Sequence, residues 1–276
     1  SMGLRQKGSN VALRRGGHAG LYESTLAILG TGGLIIPVGD AEHGALNGAT
    51  LTTVGDEQVV FTASENWEDW DVPPFTKNTI PILSFNGTDE RATSPDADFW
   101  SRVETGNPVS WGAWVNITNT AAQRSILAKW DAGGTREWQF EINSSDNLEL
   151  FLGDASVPVG VTRASDVAPT AGTWVFAVIT YDSTGGSDAM GTSGAVQDNA
   201  TVYVDGAIVA STATDNGSYS EMENLGSIVE LGSRASSTWF NGLMAGGPLG
   251  PFFVNKELSP DEVRRLYHLG YEALDL

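Results

Sequence analysis

The sequence predicts an all-β protein, two antiparallel sheets packed as a sandwich with one short C-terminal helix. Three observations predict it. From Ile80 onward, short runs rich in β-branched and aromatic residues recur, each bounded by Gly, Asn, Asp or Pro. Asp205-Gly206 separates Tyr203-Val204 from Ala207-Ile208, and a two-residue type I′ hairpin turn needs the positive φ that such a pair adopts. One segment near the end, after Leu258, carries the signals that start and stop a helix.

Taken in order, residues 1–20 are Gly-rich and basic without a hydrophobic period, which predicts an extended arm. Residues 21–75 predict a β-rich segment packing on the sandwich. There Leu26–Leu29, Gly30-Thr31-Gly32-Gly33 and Leu34–Ile36 read as strand, turn and strand. Asp69-Trp70-Asp71-Val72-Pro73-Pro74 predicts a stiff boundary, so that 76–276 is the main domain. Expected strands within it are 80–85, 109–116, 125–129, 137–143, 148–152, 173–181, 200–205, 207–211, 228–232 and 252–255. Ser259 as cap, Pro260 at the first helical position and Glu262 three residues after the cap predict the helix start. Val263, Leu266 and Tyr267 give that helix its apolar stripe, and Gly270 is expected to end it over one edge of the sandwich.

Composition narrows the functions. The 276 residues are 41% hydrophobic, enough for a sizeable core. No Cys is present, which removes disulfides, thiolate metal sites and a Cys nucleophile. Fifteen Lys and Arg against 34 Asp and Glu give a formal charge of −19, a field that disfavours nucleic acid as a partner. The charge is uneven: no acid precedes Glu23, and Arg5, Lys7, Arg14 and Arg15 make the arm +4. The remaining 11 basic and 34 acidic residues give −23. An arm and body of opposite sign predict protein partners or self-association through residues 1–20. Four Lys against eleven Arg fits either an acid-rich surface tuned to salt or a coding bias. No apolar run is long enough to cross a membrane, and no signal-peptide core follows the N-terminus.

Several segments in a fixed order carry a resemblance. They are Leu83–Asp89, Val109–Val115, Ile126–Lys129, Gly172–Tyr181, Val202–Gly206, Ile228–Ser233, Phe240-Asn241-Gly242 and Leu258–Val263. Over about 83–270 the chain resembles a laminin-G-like domain of the concanavalin-A-like jelly roll. The resemblance implies a two-sheet antiparallel jelly-roll sandwich that binds at its concave face or loop rim. It also implies a range of roles: lectin-like modules, adhesion domains, secreted enzymes and phage structural proteins. Such domains often carry an Asp on the strand after Phe-x-Gly that supports calcium. Here no carboxylate lies between Asn241 and Asn255, which counts against that site.

Catalytic patterns are sparse. No strand carries the Glu-x-Asp-x-Glu spacing that aims alternate carboxylates into one cleft. Glu65–Asp71 and Glu221-Met222-Glu223 are the nearest clusters. His18, His43 and His268 show neither zinc spacing nor a nucleophile–base pairing, and Gly30–Gly33 lacks the Lys-Ser/Thr of a phosphate loop. The expectation is a non-enzyme. Trp111, Trp114 and Trp174 are expected in the core, whereas Trp67, Trp70 and Trp100 are candidates to clamp the N-terminal segment. Trp130 with Asp131, and Trp239, fall at loop rims, where an indole either stacks on a sugar or packs an edge. The eighteen residues 182–199 form a long acidic loop. Asp182, Asp188 and Asp198 are candidate calcium ligands there, and a mobile loop is the plainer reading. The sequence thus predicts a lectin-like module for glycans, with an assembly protein of a virion or cell surface as the alternative. A jelly-roll hydrolase or lyase comes third.

Overall fold

Residues buried on both faces read as continuous apolar runs, and two such runs, 109–117 and 174–181, lie side by side at the centre of the molecule. The computed structural model describes residues 13–40, 50–64, 75–77, 80–102, 106–118, 121–194 and 197–276. Helix α1 (Leu13–Leu29) leads into β1 (Gly33–Ile35), β2 (Thr50–Thr52), β3 (Val54–Gly55), β4 (Val60–Ala63) and β5 (Phe75–Lys77). Then come β6 (Ile80–Asn86), β7 (Ala92–Ser94), β8 (Val109–Ile117), β9 (Arg124–Trp130), β10 (Arg136–Ile142), β11 (Leu148–Asp154) and β12 (Val159–Ser165). β13 (Trp174–Tyr181), β14 (Ala200–Val204), β15 (Ala207–Ile208) and β16 (Ser211–Thr214) follow. β17 (Val229–Leu231), β18 (Asn241–Ala245), β19 (Phe252–Val254) and α2 (Pro260–Leu274) complete the chain.

Ten strands make one sheet, with β15-β14-β13-β8-β18-β6-β5 as its path and β1, β3 and β19 paired beside it. Nine make the other, in the order β16-β12-β11-β10-β9-β17-β7-β4-β2. Neighbouring strands run antiparallel throughout. The sheets face each other across a core that includes Trp111, Val115 and Ile179 from the first and Trp138, Phe140 and Leu150 from the second. Alternate residues of the ten-stranded sheet, Trp114, Phe176, Val178 and Tyr203, point the other way. There they meet Leu21, Ile28 and Leu29 of α1 and Val263, Leu266 and Leu274 of α2. The molecule is therefore three layers: helices, ten-stranded sheet, nine-stranded sheet.

The N-terminal region departs from expectation. Residues 13–20 are the first turns of α1 rather than part of an extended arm, and Leu26–Leu29 end that helix rather than form a strand. Leu21, Tyr22, Thr25, Ile28 and Leu29 are buried at helical spacing. Gly30, at φ +73°, closes the helix with its N–H on the Leu26 carbonyl. Glycines 16, 17 and 20 hide the start, because each lowers helix propensity. Residues 1–12 and the expected boundary at 69–74 lie outside the described residues. The strands of 21–75 do not form a separate layer: β1 and β3 join the ten-stranded sheet, β2 and β4 the nine-stranded one.

At the other end, the expected capping box is present: Ser259 Oγ accepts from Glu262 N, and the Glu262 carboxylate accepts from Ser259 N. The helix does not stop at Gly270 but runs on to Leu274. It lies across the outer face of the ten-stranded sheet and reaches the expected edge, where Tyr267 packs over the β14–β15 turn at Gly206. Gly270 has a packing role instead, since a Cβ there would sit 2.1 Å from Trp114 Nε1. Asp205 and Gly206, at φ +52° and +77°, make the expected hairpin turn.

The long acidic loop is held from beneath. Arg163, fully buried, donates Nη1–H to the carbonyls of Met190 (2.7 Å) and Thr192 (3.1 Å) and Nε–H to Ser211 Oγ (2.8 Å). Ala189 and Met190 enter the inter-sheet core. Asp198 accepts from Thr192 N at 2.6 Å and Asn199 N at 2.9 Å, bonds that with the charge of Arg163 keep its pKa low.

Candidate functional site

Helices cover the outer face of the ten-stranded sheet; among the described residues no helix packs on the outer face of the nine-stranded one. On β10, Trp138, Phe140 and Ile142 point into the core, which turns Gln139 and Glu141 outward. Register carries the same face across the sheet: Thr93 opposite Glu230, Glu230 opposite Ala128, Ala128 opposite Gln139, Gln139 opposite Phe151 and Phe151 opposite Thr162.

Near its middle this face carries an aromatic–arginine stack. The rings of Trp130 and Phe151 lie 4.7 Å apart between centroids. The guanidinium of Arg136 sits 5.1 Å from the Trp130 ring centre and that of Arg234 sits 4.8 Å from it. Phe151 can lie flat because Gly160 lies under it; a Cβ there would be 2.2 Å from the ring. Arg234 enters from the loop after β17 and donates to Gln139 Oε1 (2.8 Å), Thr238 Oγ1 (3.0 Å) and Gln123 Oε1 (3.4 Å). Burial lowers its pKa; Glu141 acts against that shift and Arg136 adds to it.

Beneath Arg234 lies a carboxyl pair. Glu141 and Glu149 are direct cross-strand partners and share a hydrogen bond. Glu141 is 1% exposed and accepts from Gln123 Nε2 at 2.8 Å and from Gln139 Nε2. Its pKa is pushed up to about 8, first by burial and then by the neighbouring Glu149, against the pull of Gln123 and Arg234. Glu149 accepts from Asn143 Nδ2 at 2.8 Å. At neutral pH Glu141 is therefore an uncharged acid in the floor of the site.

The hairpin under Trp130 is rooted by a buried ion cluster. Lys129, fully buried, is held by Glu137, by Asp96 Oδ1 at 2.8 Å and by the Leu225 carbonyl. Burial raises the Glu137 pKa and the Lys129 pair opposes it. Removing one member of such a cluster strands the other charge in the interior, at a cost of roughly 3–5 kcal/mol.

The sequence candidates fall as follows. Trp130 is half-buried in the stack, and Asp131 is exposed in the β9–β10 turn, its Oδ1 accepting from Gly133 N at 3.1 Å. Trp239 belongs to the same loop as Arg234 and is faced by Arg91 at 5.8 Å, itself paired with Glu230 at 3.2 Å. One loop thus ties both indoles to one sheet face. Trp111, Trp114 and Trp100 are buried, Trp100 against Phe61 of the N-terminal segment; Trp67 and Trp70 lie outside the described residues. Asp182, Asp188 and Asp198 are not gathered into a ligand set. Among the described residues no group of three or more His, Asp or Glu side chains is placed to hold a metal ion. Asp198 instead caps loop amides, as does Glu223, which accepts from Ala155 N and Ser156 N at 2.9 Å each. Sequence reasoning missed Arg136, Arg234, Gln139, Glu141 and Glu149. The alternation Trp138-Gln139-Phe140-Glu141-Ile142 is a readable signal for two of them, Gln139 and Glu141; Arg234 has none, because a loop brings it from over ninety residues away.

A model of the Laminin_G_3 family, within the concanavalin A-like lectin/glucanases superfamily, matches residues 86–264. The chain belongs to this family. No curated protein matches its sequence. Solved structures similar to this laminin-G chain include the binding domain of botulinum neurotoxin DC in complex with SialylT, at 10% identity and a TM-score of 0.57, covering 87% of this chain and 52% of that one. A botulinum neurotoxin type C structure, its cell entry described as dependent on two ganglioside molecules, has 10% identity, a TM-score of 0.53 and coverages of 91% and 53%. Trypanosoma rangeli sialidase, bound to a difluorinated nononic acid, has 16% identity, a TM-score of 0.51 and coverages of 88% and 33%. The laminin-G chain spans about half of the toxin domains and a third of the sialidase, and at these identities the likeness shows the fold.

Proposed function

We propose that the protein is a non-catalytic, lectin-like module that binds glycans on the outer face of its nine-stranded sheet. The observation that carries this reading is the Trp130–Phe151–Arg136–Arg234 stack on the outer face of the nine-stranded sheet, over which no helix packs among the described residues. Sugars are held by flat surfaces against their C–H faces and by amides and guanidiniums that reach their hydroxyls. The stack supplies the first, and the half-buried Gln123 and Asn143 supply side-chain amides around it. The sugar-bound relatives support the class of ligand, though what each is described as binding belongs to proteins of which this chain matches half or less.

Trp130 serves differently from a bare stacking plane. With two guanidiniums over its ring, it holds Arg136 and Arg234 flat, and those planes are what the face presents to a sugar. A glycan array probed with the wild-type chain and with Trp130→Ala and Trp239→Ala tests the proposal. Binding by the wild type that drops in Trp130→Ala supports it, and a blank array with the wild type sinks it. Glu141 and Glu149 form an acid pair, but Glu141 is enclosed and bonded to two glutamines, which fits a floor better than a proton donor to substrate. Polysaccharide cleavage that disappears in Glu149→Gln would overturn the non-catalytic reading.

A further inference from the structure

We infer that Arg136 and Arg234 form a carboxylate-binding site, so that the glycan this face takes is an acidic sugar. The inference rests on the lectin-like reading and narrows it. Two guanidiniums converge on one indole, at 5.1 and 4.8 Å from its centre, in a chain whose net charge is −19. Arginine stays protonated at every working pH, so both are cations. Among the described residues neither is in an ion pair. The Arg and Lys residues in ion pairs among the described residues are Arg91, Arg124, Lys129, Lys256 and Arg264. Arg136 is exposed and stacks on Trp130; Arg234 is half-buried, and its hydrogen bonds go to the neutral side chains Gln139, Gln123 and Thr238.

The carboxyl that acts on Arg234 is Glu141, but it lies buried in the floor of the site and bonds to Gln123 and Gln139 rather than to either guanidinium. Two like charges facing one ring repel each other, and among the described residues no ion pair offsets them. A planar carboxylate does so, accepting paired N–H bonds from a guanidinium edge. The aromatic pair beneath and the amides alongside suit the ring and hydroxyls of a sugar better than a bare inorganic anion. The site is thus shaped for a carboxylate carried on a sugar ring, of either the sialic or the uronic kind.

The test compares sugars that differ only at the acid. Trisaccharide 3′-sialyllactose is set against its sialic acid methyl ester, and trigalacturonate against its methyl ester, each titrated calorimetrically into the full chain. One charged–neutral pair should show a preference for the carboxylate of roughly tenfold or more, the worth of a charge-assisted hydrogen bond, and it should weaken with added salt. Which pair shows it identifies the sialic or uronic source. The preference should collapse in Arg136→Gln, whose melting temperature stays close to the wild-type value because Arg136 is exposed and its stack on Trp130 is a weak contact at such a site. Equal affinity for charged and neutral sugars, or a preference that survives Arg136→Gln, overturns this inference and leaves the lectin-like reading standing. No binding of any of the four sugars, with a blank array, removes both.

Discussion

Glu141 lies under Gln123 and Gln139, across from Glu149 and below Arg234, and its pKa of about 8 stands above the ordinary value of 4.5. The folded chain therefore holds a proton between those two values that the unfolded chain releases. Unfolding becomes easier wherever the unfolded state binds fewer protons, so this group's contribution is complete below pH 4.5 and is lost as pH rises to about 8. Above that, folding confines a carboxylate beside Glu149 with Arg234 as the counter-charge. Glu141→Gln, neutral at all pH, should flatten the decline in melting temperature that the wild type shows across this window. Parallel slopes for the two chains would mean that Glu141 ionises normally when folded. The residue was half-legible: alternation along β10 turns Gln139 and Glu141 to one side, but the carboxyl facing Glu141 depends on the register with β11. Trp130 could be placed at a rim from its position before Asp131-Ala132-Gly133-Gly134. That two arginines cover it could not, because one of them arrives from a distant loop.

At the scale of elements, α2 shows two effects in opposition. Alanine in place of a mid-helix glycine ordinarily gains about 1 kcal/mol of helix propensity. At Gly270 the added methyl would stand 2.1 Å from Trp114 Nε1, and overpacking a buried ring costs roughly 1–3 kcal/mol. The steric effect wins, so Gly270→Ala should lower the denaturant midpoint; a higher midpoint would show that α2 slides to make room. The same close approach explains why a glycine in the stop position fails to stop the helix. The loop 182–199 is the second case. Arg163→Met leaves the Met190 and Thr192 carbonyls without their buried donor, a loss of about 1–3 kcal/mol for each. We expect a lower melting temperature and new protease cuts between 182 and 199; an unchanged digest would mean that Met190 in the core fixes the loop unaided. The sequence shows an acidic, glycine-rich stretch there and so predicts mobility. Its anchor lies on β12, a strand that the Val159–Ser165 run, broken by glycine and arginine, does not announce.

For the molecule as a whole, the strands of the ten-stranded sheet announce themselves because helices and core bury both faces, leaving long apolar runs. The pieces missed are those with little local signal. β2, β3, β7 and β16 are two to four residues of mostly Thr, Ser, Ala or Gly, and pairing alone makes them strands. The layering could not be foreseen while α1 was taken for an arm and a strand, and layering decides which sheet face stays open. The negative charge was legible from composition, whereas the small cationic focus within it exists only once β9, β10 and the loop after β17 come together. A backbone amide shift map of the isotopically labelled chain, titrated with the strongest array glycan, tests the central claim most directly. Glycan binding on this sheet face should perturb the amides of residues 123–142, 149–151 and 232–239. Perturbations on α1 and α2 or on the 182–199 loop, with that sheet face silent, would contradict it.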